Sequence, residues 1–141
     1  AQALEADGRP REAVKDYNEF HTLMGGQVSA AFYYHRAQAA LAGRLNQMAV
    51  DDIHHAVEMN PDNVDYLIEK ASICTRFNLS DEGITTCKRI IELTPEYPDA
   101  YRLLGLCYIH KGDKKAARTA FLRAKELGDP HAEGLIEKFT K

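Results

Sequence analysis

Residues 101–124 read YRLLGLCYIHKGDKKAARTAFLRA, and the same pattern of residue sizes occurs earlier in the chain at a spacing of 34. Tyr101 stands in register with Leu67 and Tyr33. Gly105 aligns with Ala71 and Ala37, and Ala117 with Gly83 and Ala49. Phe121 aligns with Cys87 and Ile53, Ala124 with Ile90 and Ala56, and Pro95 repeats Pro61. A fixed period of this length marks stacked supersecondary units, none of which buries its apolar face alone.

The units read as helical throughout. No segment alternates apolar and polar residues with the period of a strand. Breaks fall where a helix-turn-helix array needs them: Gly8-Arg9-Pro10, Gly25-Gly26, Gly43 to Asn46, Asn60-Pro61-Asp62, Asn78-Leu79-Ser80, Thr94-Pro95, Lys111-Gly112-Asp113 and Gly128-Asp129-Pro130. Proline cannot extend a helix and disfavours helical geometry before it, so Pro61 and Pro95 stop their units. Ser80 is the expected N-cap of one helix. Asp129 is expected to cap the last helix, with Pro130 at its first position. That helix carries Ala132, Leu135, Ile136 and Phe139 on one side, which suits a helix closing the end of an array. The chain divides as a partial repeat over 1–27, repeats over 30–63, 64–97 and 98–130, and a closing helix over 131–141, all in one domain.

Composition narrows the function classes. With 45% hydrophobic and 28% charged residues, the chain is neither disordered nor membrane-like. A net charge of −3 and the lack of a Lys/Arg run argue against nucleic acid as a partner. No apolar stretch reaches the roughly 18 residues of a spanning helix, so membrane insertion of this segment is not expected. Cys74, Cys87 and Cys107 fall within expected helices and read as small buried hydrophobes in a reduced protein. A Cys74–Cys87 disulfide within one repeat is the alternative. This usage favours a cytoplasmic setting, with a periplasmic one left open. The chain opens without Met on what reads as the second half of a helix, as a portion of a longer protein would.

In the slots quoted above, the chain resembles the tetratricopeptide repeat family. The fourth unit carries Tyr101, Leu104, Gly105, Tyr108, Gly112, Ala117, Phe121 and Ala124 in family slots. The second departs at Arg36 and Ala40, and the third at Lys70, Cys74 and Cys87. The resemblance implies an all-α, right-handed α-solenoid of helix-turn-helix repeats. It also implies a concave face, lined by each unit's first helix, that takes a protein or peptide. On this chain that face holds Tyr34, Gln38, Ile68, Glu69, Ser72, Arg76, Arg102, Leu106 and Ile109. Leu106 and Ile109 have a second reading, as groups covered by the closing helix. The family's clamp for chaperone tails is not expected, because its positions carry Tyr34 and Gln38, then Glu69, then Asp99 and Leu103. Two carboxylates there would repel an anionic ligand.

The residues give no catalytic constellation, and neither an enzyme nor a cofactor is expected. Asp51 and His55 stand at i and i+4 and invite a metal reading, but a solvated helix surface explains them more simply. The alternative to a peptide groove is a structural module. It would stack on upstream repeats or form a homodimer through the truncated first repeat, with Ala1 to Ala6 as the adhesive edge and Leu4 facing inward.

Overall fold

The computed structural model describes residues 10–141. The expectations for Leu4, Gly8 and the Ala1 to Ala6 edge lie outside the described residues. Eight helices form among the described residues: α1 (Pro10–Leu23), α2 (Ala30–Ala42), α3 (Asn46–Met59), α4 (Val64–Arg76), α5 (Ser80–Leu93), α6 (Pro98–Lys111), α7 (Lys114–Glu126) and α8 (Ala132–Phe139). Backbone proximity groups them into two compact units that meet inside α4, one ending at Tyr66 and the other running from Leu67 to Lys141.

The first unit packs α1 to α3 through small residues. Ala13, Val14, Ala39, Ala40 and Ala49 form its core cluster, bordered by Tyr17, Leu41, Leu45 and Met48. Alanine at these positions lets helix backbones approach closely, and Ala49 is one of the tiny residues that the period repeats. Ser29 caps α2 by accepting from the Phe32 amide at 3.2 Å, satisfying a donor that the first helical turn leaves open. The Arg11 guanidinium donates to the Gly43 carbonyl at 2.8 Å, tying α1 to the end of α2.

The second unit is built around Phe121, Ala117 and Ile136, with Leu106, Tyr108, Ile109 and Leu135 against them. Gly83 on α5 shows why its slot tolerates only a tiny residue. A Cβ there would lie 2.5 Å from Cys107 Sγ and 3.1 Å from Cys74 Cβ. The three cysteines are buried free thiols, so the Cys74–Cys87 disulfide is not formed. Burial pushes Cys74 up to about 12. Cys87 is raised by the adjoining Cys107 thiol and by burial. The Cys87 hydrogen bond lowers Cys107 instead, but Cys107 is fully buried. Since only an accessible thiolate reacts, the native chain should resist labelling by a disulfide reagent at about pH 8, and all three thiols should react once denaturant is added. Rapid labelling without denaturant would show that this core opens easily.

Two caps differ from their sequence reading. Ser80 is the first residue of α5, and Leu79 occupies the N-cap position without a side-chain cap. Asn78 takes the left-handed conformation before it, at φ 59°, a geometry asparagine tolerates. Asp129 does not cap α8, which begins at Ala132 after a turn containing Pro130 and His131. Its carboxylate accepts from the His131 amide at 3.0 Å and is drawn inward by Arg102.

Candidate functional site

The faces singled out from the sequence lie on α2, α4 and α6. On α2, Tyr34 and Gln38 are half-buried and one turn apart. The Tyr34 ring sits 4.9 Å from that of Tyr66 and 5.4 Å from the His35 imidazole. These rings form an aromatic surface within the first unit. On α4, Ile68, Glu69 and Ser72 are half-buried and Arg76 is exposed. Their spacing of one, four and eight residues from Ile68 puts them on one side of the helix. The stripe mixes an aliphatic group, an acid, a hydroxyl and a base, all at least partly open to solvent.

On α6 the structure gives each named residue a second task. The Arg102 guanidinium donates to Asp129 at 3.0 Å and pairs with Asp99 at 3.2 Å. The Asp129 side chain is 1% exposed, so this bond fastens the segment leading into α8. Arg102 is therefore a structural brace flanked by two carboxylates. Leu106 and Ile109 pack against the cluster of Ala117, Phe121 and Ile136, with Leu135 of α8 alongside. Both stay half-buried, with Leu135 and Ile136 of the closing helix in the same cluster.

Asp51 and His55 are occupied elsewhere. Asp51 accepts from the Gln47 side chain at 2.9 Å. The His55 ring stacks on Tyr33 with centroids 4.9 Å apart, and its Nδ1 lies 3.0 Å from the Asp51 carbonyl. Among the described residues, no group of three or more His, Cys, Asp or Glu side chains is arranged to hold a metal ion.

The described helices, the tiny residues at their crossings and the prolines between them set the terms for comparison with known proteins. Residues 88–132 match the family model described as tetratricopeptide repeat. The solved structure of YrrB, described as a TPR protein with an unusual peptide-binding site, superposes with a TM-score of 0.84. At 18% identity, that superposition covers 97% of this chain and 70% of the other. Residues 88–132 thus carry a tetratricopeptide repeat, and the chain shares the all-α repeat fold of these structures. The first TPR of Spaghetti (RPAP3), solved with an HSP90 peptide, superposes with a TM-score of 0.72 at 18% identity over 79% of this chain and 90% of its own. Among curated proteins, the CTR9 homolog of Arabidopsis thaliana is 29% identical over 77% of this chain. The chain spans only 12% of that protein's length.

Sequence reasoning missed two features of this helical array. One is the Arg36–Asp52 ion pair in the first unit. Its signal was the departure at Arg36 itself, since a cation in an apolar slot requires an anion nearby. The other is an open seam between α6 and α7, where the sequence marks Tyr101, Leu104 and Tyr108 only as slot residues.

Proposed function

We propose that this chain is a non-enzymatic interaction scaffold that holds a protein or peptide against the first-helix faces of its repeats. The α4 stripe of Ile68, Glu69, Ser72 and Arg76 carries this reading, because these side chains combine partial exposure with mixed chemistry on one helix side. Within the first unit, Tyr34 and Gln38 give α2 a partly exposed polar and aromatic face of its own. Peptide binding by structural relatives supports the assignment. Helices preorganised by their own packing lower the ordering cost that binding otherwise carries. Ligands like the HSP90 tail are disfavoured here. Asp99 is engaged by Arg102, Leu103 is buried, and Glu69 supplies a carboxylate where an anionic tail needs a cation.

The test must avoid Arg102. Reversing its charge would set three carboxylates together and loosen α8, so lost binding would be ambiguous. Peptides selected from a displayed library against the wild-type chain should instead be titrated against a double variant, Ser72→Arg with Arg76→Glu. Affinity should fall about tenfold or more, with far-UV circular dichroism and denaturation midpoint unchanged. Equal affinity for both proteins would move the binding surface off α4.

One observation favours self-association as a second reading. At the end of α1, Phe20 is 48% exposed, Leu23 84% and Met24 48%. A patch of three large apolar groups on one helix end is a plausible contact between copies. Light scattering after size exclusion decides between them. A dimer that dissociates on Leu23→Asp would support self-association, and a concentration-independent monomer would remove it.

A further inference from the structure

We propose that the seam between α6 and α7 is a second docking surface, which takes an acidic peptide segment through one apolar side chain. Tyr101, Leu104 and Tyr108 share one side of α6, and Ala116, Thr119 and Ala120 face them from α7. They enclose an open cavity of about 700 Å³, within the ordinary range for ligand pockets. The room comes from the small side chains at 116 and 120, while the tyrosine rings give it aromatic walls. The Tyr101 hydroxyl is fixed by donating to the Pro95 carbonyl at 2.8 Å, so that ring is preorganised.

Charge selects the occupant. Helix α7 carries Lys114, Lys115, Arg118, Arg123 and Lys125 against one acid, Glu126. Two of these cations, Lys115 and Arg123, line the seam. Eight residues apart on a helix, they stand about 12 Å apart along its axis. An extended peptide covers that span in three to four residues at about 3.3 Å each. Acids on either side of one anchoring side chain would therefore meet both cations. Arg123 already lies over the Tyr101 ring, 5.8 Å from its centre. Its ion-pair partner Glu126 is exposed, so an incoming carboxylate replaces a weak surface interaction. Asp113, the acid on the rim, is committed to capping α7, where it accepts from the Ala116 amide at 3.0 Å.

The surface is separate from the one proposed above. At 3.6 residues per turn, the side of α6 bearing Tyr101, Leu104 and Tyr108 is turned about 130° from the side bearing Arg102, Leu106 and Ile109. A peptide fits better than a polyanion such as nucleic acid, since a phosphate backbone would use the cations and leave the apolar floor empty. An anionic bilayer fits less well, because Leu104 and Ala120 are recessed.

The probe is a short fluorescein-labelled peptide of Asp and Glu flanking one Phe, with two controls: Gly in place of Phe, and Lys in place of the acids. The wild-type chain should bind the acidic Phe peptide saturably, about tenfold tighter than the Gly control, and the Lys control not at all. Amide shifts in the NMR spectrum should concentrate in residues 101–123. Lys115→Glu with Arg123→Glu should weaken binding about tenfold or more at unchanged helicity, whereas Ser72→Arg with Arg76→Glu should leave it intact. The proposal is overturned by absence of binding up to about 1 mM, by indifference to the Lys115 and Arg123 reversals, or by shifts confined to α4. It is equally overturned if an oligonucleotide or phosphatidylserine vesicles compete the peptide off and bind more tightly.

Discussion

Phe121→Ala should lower the stability of the second unit by about 3–5 kcal/mol, the cost of removing a large side chain from a packed core. Phe121 is fully buried, and its ring joins Gly105 of α6 to Ile136 of α8. Truncation empties the centre of the cluster and removes what the closing helix packs against. Urea unfolding followed by far-UV circular dichroism measures the loss, and amide exchange in α8 should accelerate with it. Gly105→Ala gives the reciprocal test. A Cβ there would lie 2.5 Å from Phe121 Cδ1 and 2.9 Å from Cζ, which a buried ring cannot evade cheaply. Overpacking costs about 1–3 kcal/mol, against a gain of about 1 kcal/mol from replacing glycine inside a helix. The substitution should therefore destabilise the wild type and stabilise Phe121→Ala, a reversal of sign that a double-mutant cycle detects. An equal effect in both backgrounds would mean that the ring does not hold the glycine in place.

The same contact shows why so much of the fold was legible from the sequence. Close approach of two helices requires a tiny residue opposite a large one, and repetition writes that requirement once per unit. Gly105 opposite Phe121 is an instance of the rule, and at Gly83 even a cysteine leaves no room for a Cβ. Caps were less legible because they depend on what else competes for the side chain. Asp129 has the composition of an N-cap, yet Arg102, 27 residues earlier in sequence, claims its carboxylate. The candidate faces divided along similar lines. The α4 stripe was placed by the family resemblance, while the roles of Leu106 and Ile109 depend on where α8 lands. The seam between α6 and α7 was the least legible. Its cations resemble any solvated helix face until the alanines opposite Tyr101 and Tyr108 are placed in space.

Asp52→Ala should cost about 3–5 kcal/mol, the penalty for leaving a buried charge without its partner. Arg36 occupies the slot that holds Lys70 and Leu104 in the next two units. Its Nε and Nη2 each donate to a different Asp52 oxygen at 2.8 Å, and its Nη1 donates to Asn18 at 3.1 Å. The two side chains are 13% and 4% exposed. The guanidinium also lies 5.2 Å from the Phe32 ring centre and 5.7 Å from that of Tyr33, a cation–aromatic arrangement that favours the charged form. The hydrogen bond to Asp52 raises the Arg36 pKa further above its already high value. A folded-state pKa raised in this way contributes stability that is complete below the unfolded pKa and lost only as pH rises through the folded one. Arg36 therefore adds no pH dependence across the neutral range. Little salt dependence is expected either, since screening acts weakly on a buried pair. The informative comparison is with Arg36→Leu combined with Asp52→Ala. Removing both charges spares the desolvation cost, so the double variant should be more stable than Asp52→Ala alone, and an aliphatic replacement of a buried pair is often nearly neutral. If the double variant is instead the less stable, Arg36 contributes favourably even without Asp52, through Asn18 and the rings beside it. The first unit would then draw stability from the guanidinium itself and not from the ion pair alone.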